Sequence, residues 1–503
     1  MKKAKEDEAR PKSIDMISGL PKEILHKILY SVSQKDAVRT SVLSKSWRNI
    51  WSTRTNLDLD FSHPNFTRSK QEFLTVVDKT LQLYRDQRLC LEEFHLSVSL
   101  LGDYYSDRES VSLLDKWIPL LTSMGVKEFR LSILSNEFVD LSSVVFKAES
   151  LVFFCLKKCK LGEKIPENIP FGSLQVLRLE NIFFENEIVF EKIISSCPLL
   201  TTMWFHECRG LKTIKLENKL HKYLKHFTFI GCYTYVNNKL MVEIDAPTIE
   251  TIKIFGSKIR FGEHHFRNLK SLSINWWLSS CTDSIELCID APNINHFEYN
   301  GNFIPSISFA PTSNEWRSSH VRFYIQDVQD ARLWFVELSK LLQALSPSEI
   351  SLDFVQFTHY RIAHDREDVL VHDIFDCSGN GPVAVEHLEL SSVDLSASLY
   401  FLNGLFRICC PRKITQHLLM RGGSWNEKQL IEYFRYIRER RDYGETLRDL
   451  EDLSIECFDT SRQQWQPVQM ATLLVSELRN ISRIRYRLKW SDSSFRKIPT
   501  FYI

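Results

Sequence analysis

From Val126 onward the chain repeats one short pattern: an apolar residue, two variable ones, an apolar residue, a variable one and a final apolar residue. With 44% hydrophobic residues, chance supplies about forty such matches, so spacing rather than any single match is informative. Starts fall at Val126, Leu151, Leu174, Leu200, Leu224, Ile249, Leu269 and Ile294, separated by 25, 23, 26, 24, 25, 20 and 25 residues. A steady period of that size predicts stacked units, each too small to bury its own apolar edge. Within them Leu174-Gln175-Val176-Leu177-Arg178-Leu179, Leu224-Lys225-His226-Phe227-Thr228-Phe229 and Leu269-Lys270-Ser271-Leu272-Ser273-Ile274 alternate at period two. Each predicts a strand with apolar side chains inward and polar ones outward. The fold class that follows is an α/β solenoid on a curved parallel sheet.

An extra copy, Leu211-Lys212-Thr213-Ile214-Lys215-Leu216, falls at half the period and is assigned to the opposite, convex side. Short segments before Ala246-Pro247 and Ala291-Pro292 predict further extended runs there, while Glu187 to Ser196 has helical spacing. The convex side should therefore mix helical and extended pieces. Cys159, Cys208 and Cys232 each sit eight residues after a repeat start, where a thiol can satisfy backbone groups of the turning loop. They are read as structural rather than metal-binding. From about Ile304 the rhythm degrades, although Val385–Leu390 and Leu450–Ile455 still fit and predict further coils. Helices are expected at Asp330–Leu345, Ala397–Cys409, Asn426–Arg441 and Val468–Leu478, with exposed loops at Ser378–Pro382 and Arg421–Gly423. Near the end Arg483, Arg485, Arg487 and Lys489 alternate with Ile484, Tyr486, Leu488 and Trp490. This predicts a solvated terminal strand whose charge guards an open edge, with an anionic ligand or acidic partner as the other reading.

Residues Ile14 to Leu59 follow a different period. Pro21 suits the start of a helix, Glu23 its positive end, and Ile24, Leu25, Ile28 and Leu29 recur at helical spacing, which predicts a helix over Pro21–Tyr30. Ser33 or Asp36 can cap a second helix carrying Ala37, Val38, Val42 and Leu43, with Trp47, Ile50 and Trp51 behind it. A module this small rarely supplies a sufficient core alone, so some of its apolar surface should meet a partner or dock on the body of the chain.

The division that follows is a tail over 1–13, the helical module over 14–60, the repeats over 61–303 and an irregular C-terminal region over 304–503. With 64 Lys+Arg against 63 Asp+Glu in 503 residues there is no global field to draw the chain to nucleic acid or an anionic membrane, and neither is expected as a partner. No signal-peptide core follows the charged N-terminus and no apolar run is long enough for a transmembrane helix, so cytoplasm or nucleus is expected, with the 12 cysteines reduced. Chemistry is poorly supported. There is no glycine-rich phosphate loop, nucleophile elbow or His-Glu-x-x-His sequence, and His264-His265, Cys155 with Cys159, and Cys409-Cys410 each lack a second ligand pair. No catalytic residue, metal or cofactor is expected.

The string from Asp15 through Leu20, Pro21, Glu23 and Leu25, followed by Lys35-Asp36-Ala37-Val38-Arg39-Thr40-Ser41-Val42-Leu43-Ser44-Lys45-Ser46-Trp47-Arg48, resembles the F-box of plant F-box proteins with leucine-rich repeats. The repeats resemble those of the same proteins, including Cys197-Pro198-Leu199-Leu200 and Asp290-Ala291-Pro292-Asn293, and the C-terminal region is loosely similar to their FBD-type extension. The resemblance implies a bundle that docks on a Skp-type adaptor and, through it, on a cullin scaffold of an SCF-type ubiquitin ligase. It assigns Leu20, Pro21, Ile24, Ile28, Val38, Val42, Leu43 and Trp47 to binding that adaptor or supporting the docking surface. Where the family usually has an aromatic, Leu, Pro and Thr, this chain has Ser31, Val32, Ser33 and Gln34, with less apolar contact area.

Three functional readings follow. The chain is a non-catalytic substrate receptor whose solenoid holds a target for ubiquitination; or an interaction scaffold outside ubiquitin ligation; or a sensor binding a small molecule on its concave face. If a target lies on the concave sheet, the fifth template position of each coil meets it: Arg130, Cys155, Arg178, Trp204, Thr228, Lys253, Ser273 and Glu298. Arg130, Arg178, Trp204 and Lys253 are the candidate target contacts, because aromatic and cationic side chains dominate binding energy.

Overall fold

In the computed structural model the described residues are 19–32, 34–40, 42, 47, 50–51, 53–61, 70–99, 108–141, 143–162, 166–231, 240–262, 265–276, 286–309, 316–325, 331–356, 381–391, 399–417, 429–439, 447, 449–475 and 481–491. The chain forms two compact units, Met1–Leu211 and Lys212–Ile503.

The first unit opens with helices α1 (Lys22–Ser31) and α2 (Gln34–Thr40). Strands β1 (Asn56–Asp60), β2 (Glu93–Ser99), β3 (Glu128–Leu134), β4 (Val139–Asp140), β5 (Phe153–Lys157), β6 (Cys159–Leu161), β7 (Val176–Glu180), β8 (Phe183–Phe184) and β9 (Thr202–His206) follow. Between them lie helices α3 (Lys70–Asp86), α4 (Arg108–Ser123) and α5 (Glu187–Ser195). All neighbours in the ladder β1-β2-β3-β5-β7-β9 are parallel, and β4-β6-β8 form a second, smaller sheet. Register stacks like on like: Leu59, Leu96, Leu131, Leu156, Leu179 and Phe205 share one inward row, all buried. In the adjacent row the rings of Phe94, Phe129 and Phe154 follow one another at 6.1 and 6.0 Å. The alternation predicted for single strands thus becomes a continuous column, and each coil contributes roughly 1.5–3 kcal/mol per buried side chain.

Turns after the strands repeat as closely as the strands do. Lys158, Asn181 and Glu207 follow β5, β7 and β9 and have φ of 64°, 52° and 51°, a left-handed conformation uncommon for residues with a Cβ. Asn181 Nδ2 donates to Glu207 Oε2 at 2.9 Å, so one turn braces the next. Cys159 and Cys208 are buried beside these turns and their thiols donate to the carbonyls of Lys157 and Leu179, both at 3.5 Å. Burial pushes both thiols up to about 12, as a neutral structural role requires. Cys232 lies outside the described residues.

The second unit carries β10 (Thr213–Glu217), β11 (His226–Ile230), β12 (Met241–Asp245), β13 (Thr251–Phe255), β14 (Lys258–Phe261), β15 (Ser271–Trp276), β16 (Glu286–Ile289), β17 (His296–Gly301), β18 (Ser306–Phe309) and β19 (Ser318–Ile325). It continues with β20 (Glu349–Gln356), β21 (Val383–Val385), β22 (His387–Ser391), β23 (Cys409–Pro411), β24 (Lys413–His417), β25 (Leu450–Asp459), β26 (Gln464–Pro467) and β27 (Ile481–Trp490). The parallel ladder here is β11-β13-β15-β17-β19-β20-β22-β24. Smaller parallel sheets β10-β12-β14, β16-β18 and β21-β23 hold the extended runs expected on the other side, including the extra copy at Leu211–Leu216 and the segments before Ala246 and Ala291. Four helices, Ala331–Leu345, Leu399–Ile408, Gln429–Glu439 and Met470–Val475, lie within the spans expected to be helical.

The end of the chain corrects two expectations. Leu450–Ile455 is not a further coil: β25 runs antiparallel to both β26 and β27. Nor is β27 a solvated edge, because it pairs antiparallel with β24 on one side and β25 on the other. Its alternating cations are spent within the sheet. Arg485 and Arg487 reach Glu456 at 3.3 and 3.2 Å, Lys489 reaches Glu451 at 2.9 Å, and Arg485 lies 3.7 Å from the Trp465 ring centre. The apolar alternates Ile484, Tyr486, Leu488 and Trp490 are buried on the opposite face. A two-sided strand needs both faces satisfied, which the charge alternation met by pairing rather than by solvation.

Candidate functional site

Helix α1 carries two apolar stripes instead of one. Leu25 and Leu29, four residues apart, point into a small core with Ala37, Trp47 and Ile50, against which Val32 and Trp51 pack. Ile24 and Ile28, also four apart and rotated by one residue, remain exposed, as does Leu20 just ahead of the helix; their exposures are 41, 38 and 38%. Pro21 occupies the N-cap, its carbonyl accepting from the amides of Ile24 at 3.0 Å and Leu25 at 3.1 Å, which fixes where both stripes begin. Past α2, Val42 is 80% exposed. Apolar area left in water forgoes roughly 25 cal/mol per Å², so these exposed aliphatic residues mark surface that another protein can cover. Trp47 belongs to the support beneath that surface, being buried. The Val38 side chain and Leu43 lie outside the described residues.

The bundle is tied to the repeats by a polar contact. Tyr30, at the end of α1, donates its hydroxyl to Glu93 Oε1 on β2 at 2.5 Å. Glu93, His95 and Glu128 bring ligand atoms within 4.8 Å of one another, the arrangement a metal would need. Each carboxylate already has a protein donor, however: Tyr30 on Glu93, and His95 (3.0 Å) with Arg130 on Glu128. Both carboxylates are therefore already engaged by protein donors.

On the outward face of the first unit, Asp58, His95, Arg130, Cys155, Arg178 and Trp204 share one register row. The Arg178 guanidinium lies 4.0 Å from the Trp204 ring centre, and Arg130 sits 4.3 Å above Phe153. Cys155 between them is half-buried, and burial raises its thiol against the lowering influence of both arginines. In the second unit Thr228, Lys253, Ser273 and Glu298 likewise share a row. Lys253 is exposed, whereas Ser273 is buried and donates to Glu298 Oε2 at 2.8 Å. The sequence reading named Arg178 and Trp204 separately; that they touch follows from their occupying the same position on adjacent coils. His95 and Asp58 were missed, because their strands precede the first recognised repeat.

With this geometry in place, the comparisons with known proteins are specific. Residues 17–58 match the F-box domain, and residues 91–302 match the family described as At1g61320/AtMIF1, LRR domain. The architecture is thus a helical F-box domain followed by leucine-rich repeats. Among its Arabidopsis thaliana relatives are F-box/LRR-repeat protein 13, 29% identical with 49% of this chain and 53% of the relative covered, and Putative FBD-associated F-box protein At5g22720, 30% identical with 48% and 50% covered. Putative F-box/LRR-repeat protein At3g18150 is 25% identical over a longer stretch, 59% of this chain and 62% of that one. The chain thus carries an F-box domain followed by a leucine-rich-repeat domain and is similar to plant F-box/LRR-repeat proteins, with its matches spanning about half the length of the first of these relatives.

Proposed function

We propose that this chain is the substrate-recognition subunit of an SCF-type ubiquitin ligase. The F-box domain docks on a Skp-type adaptor, which links it to a cullin, and the repeats hold a target protein. The observation that carries the reading is the division within α1, where Leu25 and Leu29 close the module's own core while Leu20, Ile24 and Ile28 stay outside it. A cap serving only the solenoid would turn its apolar stripe toward the repeats. The chain's contribution to ubiquitination is proximity: holding a target lysine near a conjugating enzyme's thioester raises effective concentration without a catalytic group here. The cytoplasm and nucleus are the compartments where such an assembly would act.

Capture experiments with the intact chain and with a Leu20→Ala, Pro21→Ala variant test this. The receptor reading expects recovery of adaptor and cullin by the first and a marked drop with the second. Absence of both proteins from the intact-chain sample favours the scaffold reading.

A further inference from the structure

The outward face of the first unit is not uniformly charged. Acidic residues gather toward its first strands, with Asp58 and Asp60 on β1, Glu93 on β2 and Glu128 on β3. Toward β9 the row is cationic and aromatic. Two of the acids along this part are paired: Glu128 takes His95 and Arg130, and Glu180 takes Lys157 at 2.5 Å. Arg178 differs. It is exposed and makes neither a hydrogen bond nor an ion pair among the described residues, and its contact is the Trp204 ring. Trp204 is itself half-buried and packed at 5.4 Å against the ring of His206. The guanidinium thus sits over a supported aromatic platform with its N–H groups uncommitted among the described residues. Two coils away, Arg130 Nε is buried and has no acceptor among the described residues. The short side chain of Cys155 lies in register between the two arginines.

We propose that this row receives an extended protein segment bearing a single anionic group, which Arg178, held on Trp204, engages through its N–H edge. The inference deepens the target-binding half of the reading above and rests on it. A planar fork on an aromatic face is pre-oriented for a carboxylate or phosphate, so little side-chain freedom is lost on binding. A nucleic-acid strand is disfavoured, because a continuous polyanion would also cross Asp58 and Glu93, neither of which has an ion-pair partner among the described residues. Six strands at about 4.8 Å spacing give a row matched by roughly seven extended residues, a normal length for a recognition segment.

The test uses the full chain and a display library of random peptides of about ten residues, long enough to cross the row. Peptides enriched on the chain are remade with Glu, phosphoserine or Gln at the enriched position. The proposal expects enrichment of acidic residues and loss of binding with Gln. Preference between Glu and phosphoserine tells whether the natural group is a carboxylate or a phosphate. Arg178→Ala and Trp204→Ala should each lower affinity about tenfold or more, Arg178→Lys should restore little, and Lys192→Ala on α5 should change nothing. Enriched peptides without acidic residues, acidic peptides bound equally by Arg178→Ala, or no enrichment at all would overturn it. Circular dichroism of the exposed-site variant Arg178→Ala separates loss of the contact from loss of fold. Adaptor capture is scored on the same samples: Arg178-dependent peptide binding without capture sinks the ligase reading alone, and capture without such binding sinks this inference alone.

Discussion

Ile28 and Leu29 are neighbours in the chain and opposites in environment, one exposed and one fully buried. Replacing Leu29 by Ala should remove about 2–5 kcal/mol from the helical module, read as faster amide exchange across α1 and α2, whereas Ile28→Asp should leave that exchange unchanged. Sequence spacing identified all four apolar positions on α1 but could not say which pair faces inward, because two stripes one residue apart share a single broad helical face. That choice is set by Trp47 and Ile50, which arrive from beyond α2. A second residue-scale prediction concerns acid. Glu389 is held at about 2 chiefly by a hydrogen bond from His417 Nε2 at 2.8 Å, against burial, which pushes its carboxyl upward. Since the folded value lies below that of an unfolded Glu, about 4.3, the contribution is present above that pH and fades as pH falls toward 2. Denaturant unfolding across that acid window should show a flatter pH dependence for Glu389→Gln than for the unaltered chain; identical slopes would remove the hydrogen bond from the account.

Elements were legible where a coil kept to its period and obscure where a helix lengthened it. Strand β2 carries the template at Leu91, Phe94 and Leu96, but helix α4 separates it from Val126 by 35 residues, outside the expected interval. Strand β1 hides for a chemical reason: its leading position is Arg54, buried and hydrogen-bonded to Asn56 Oδ1 at 3.1 and 3.0 Å, where the template calls for an apolar residue. The error at β27 has another origin. Alternation reports which face a side chain occupies, not how many strands flank the backbone, and a pairing between residues about 30 or 70 positions apart leaves no local trace. Its consequence is measurable. Ending the chain before Ile481 strips β24 and β25 of their shared partner, so the shortened protein should aggregate or show lowered thermal stability in its second unit. Unchanged melting would restore the solvated-edge reading.

At the scale of the whole molecule, two surfaces with different chemistry serve two proposed contacts. The F-box patch is aliphatic and unpaired, suited to a partner that buries it; the outward row of the first unit is a patterned face with one uncommitted cation on an aromatic support. Sequence was sufficient for the repeat architecture and for the family resemblance, since both rest on short-range patterns. It placed Arg130, Arg178 and Trp204 on one row from period alone. The stack of Arg178 on Trp204 and the neutralisation of Arg130 by Glu128 required neighbouring coils in register. The most direct test is a binding titration of a purified Skp-type adaptor against the intact chain and an Ile24→Asp, Ile28→Asp variant, with melting temperatures recorded in parallel. Saturable binding by the intact chain and a loss of about a hundredfold or more in the variant at unchanged melting temperature is the predicted result. Equal affinity for both proteins, or none for the intact chain, would contradict it.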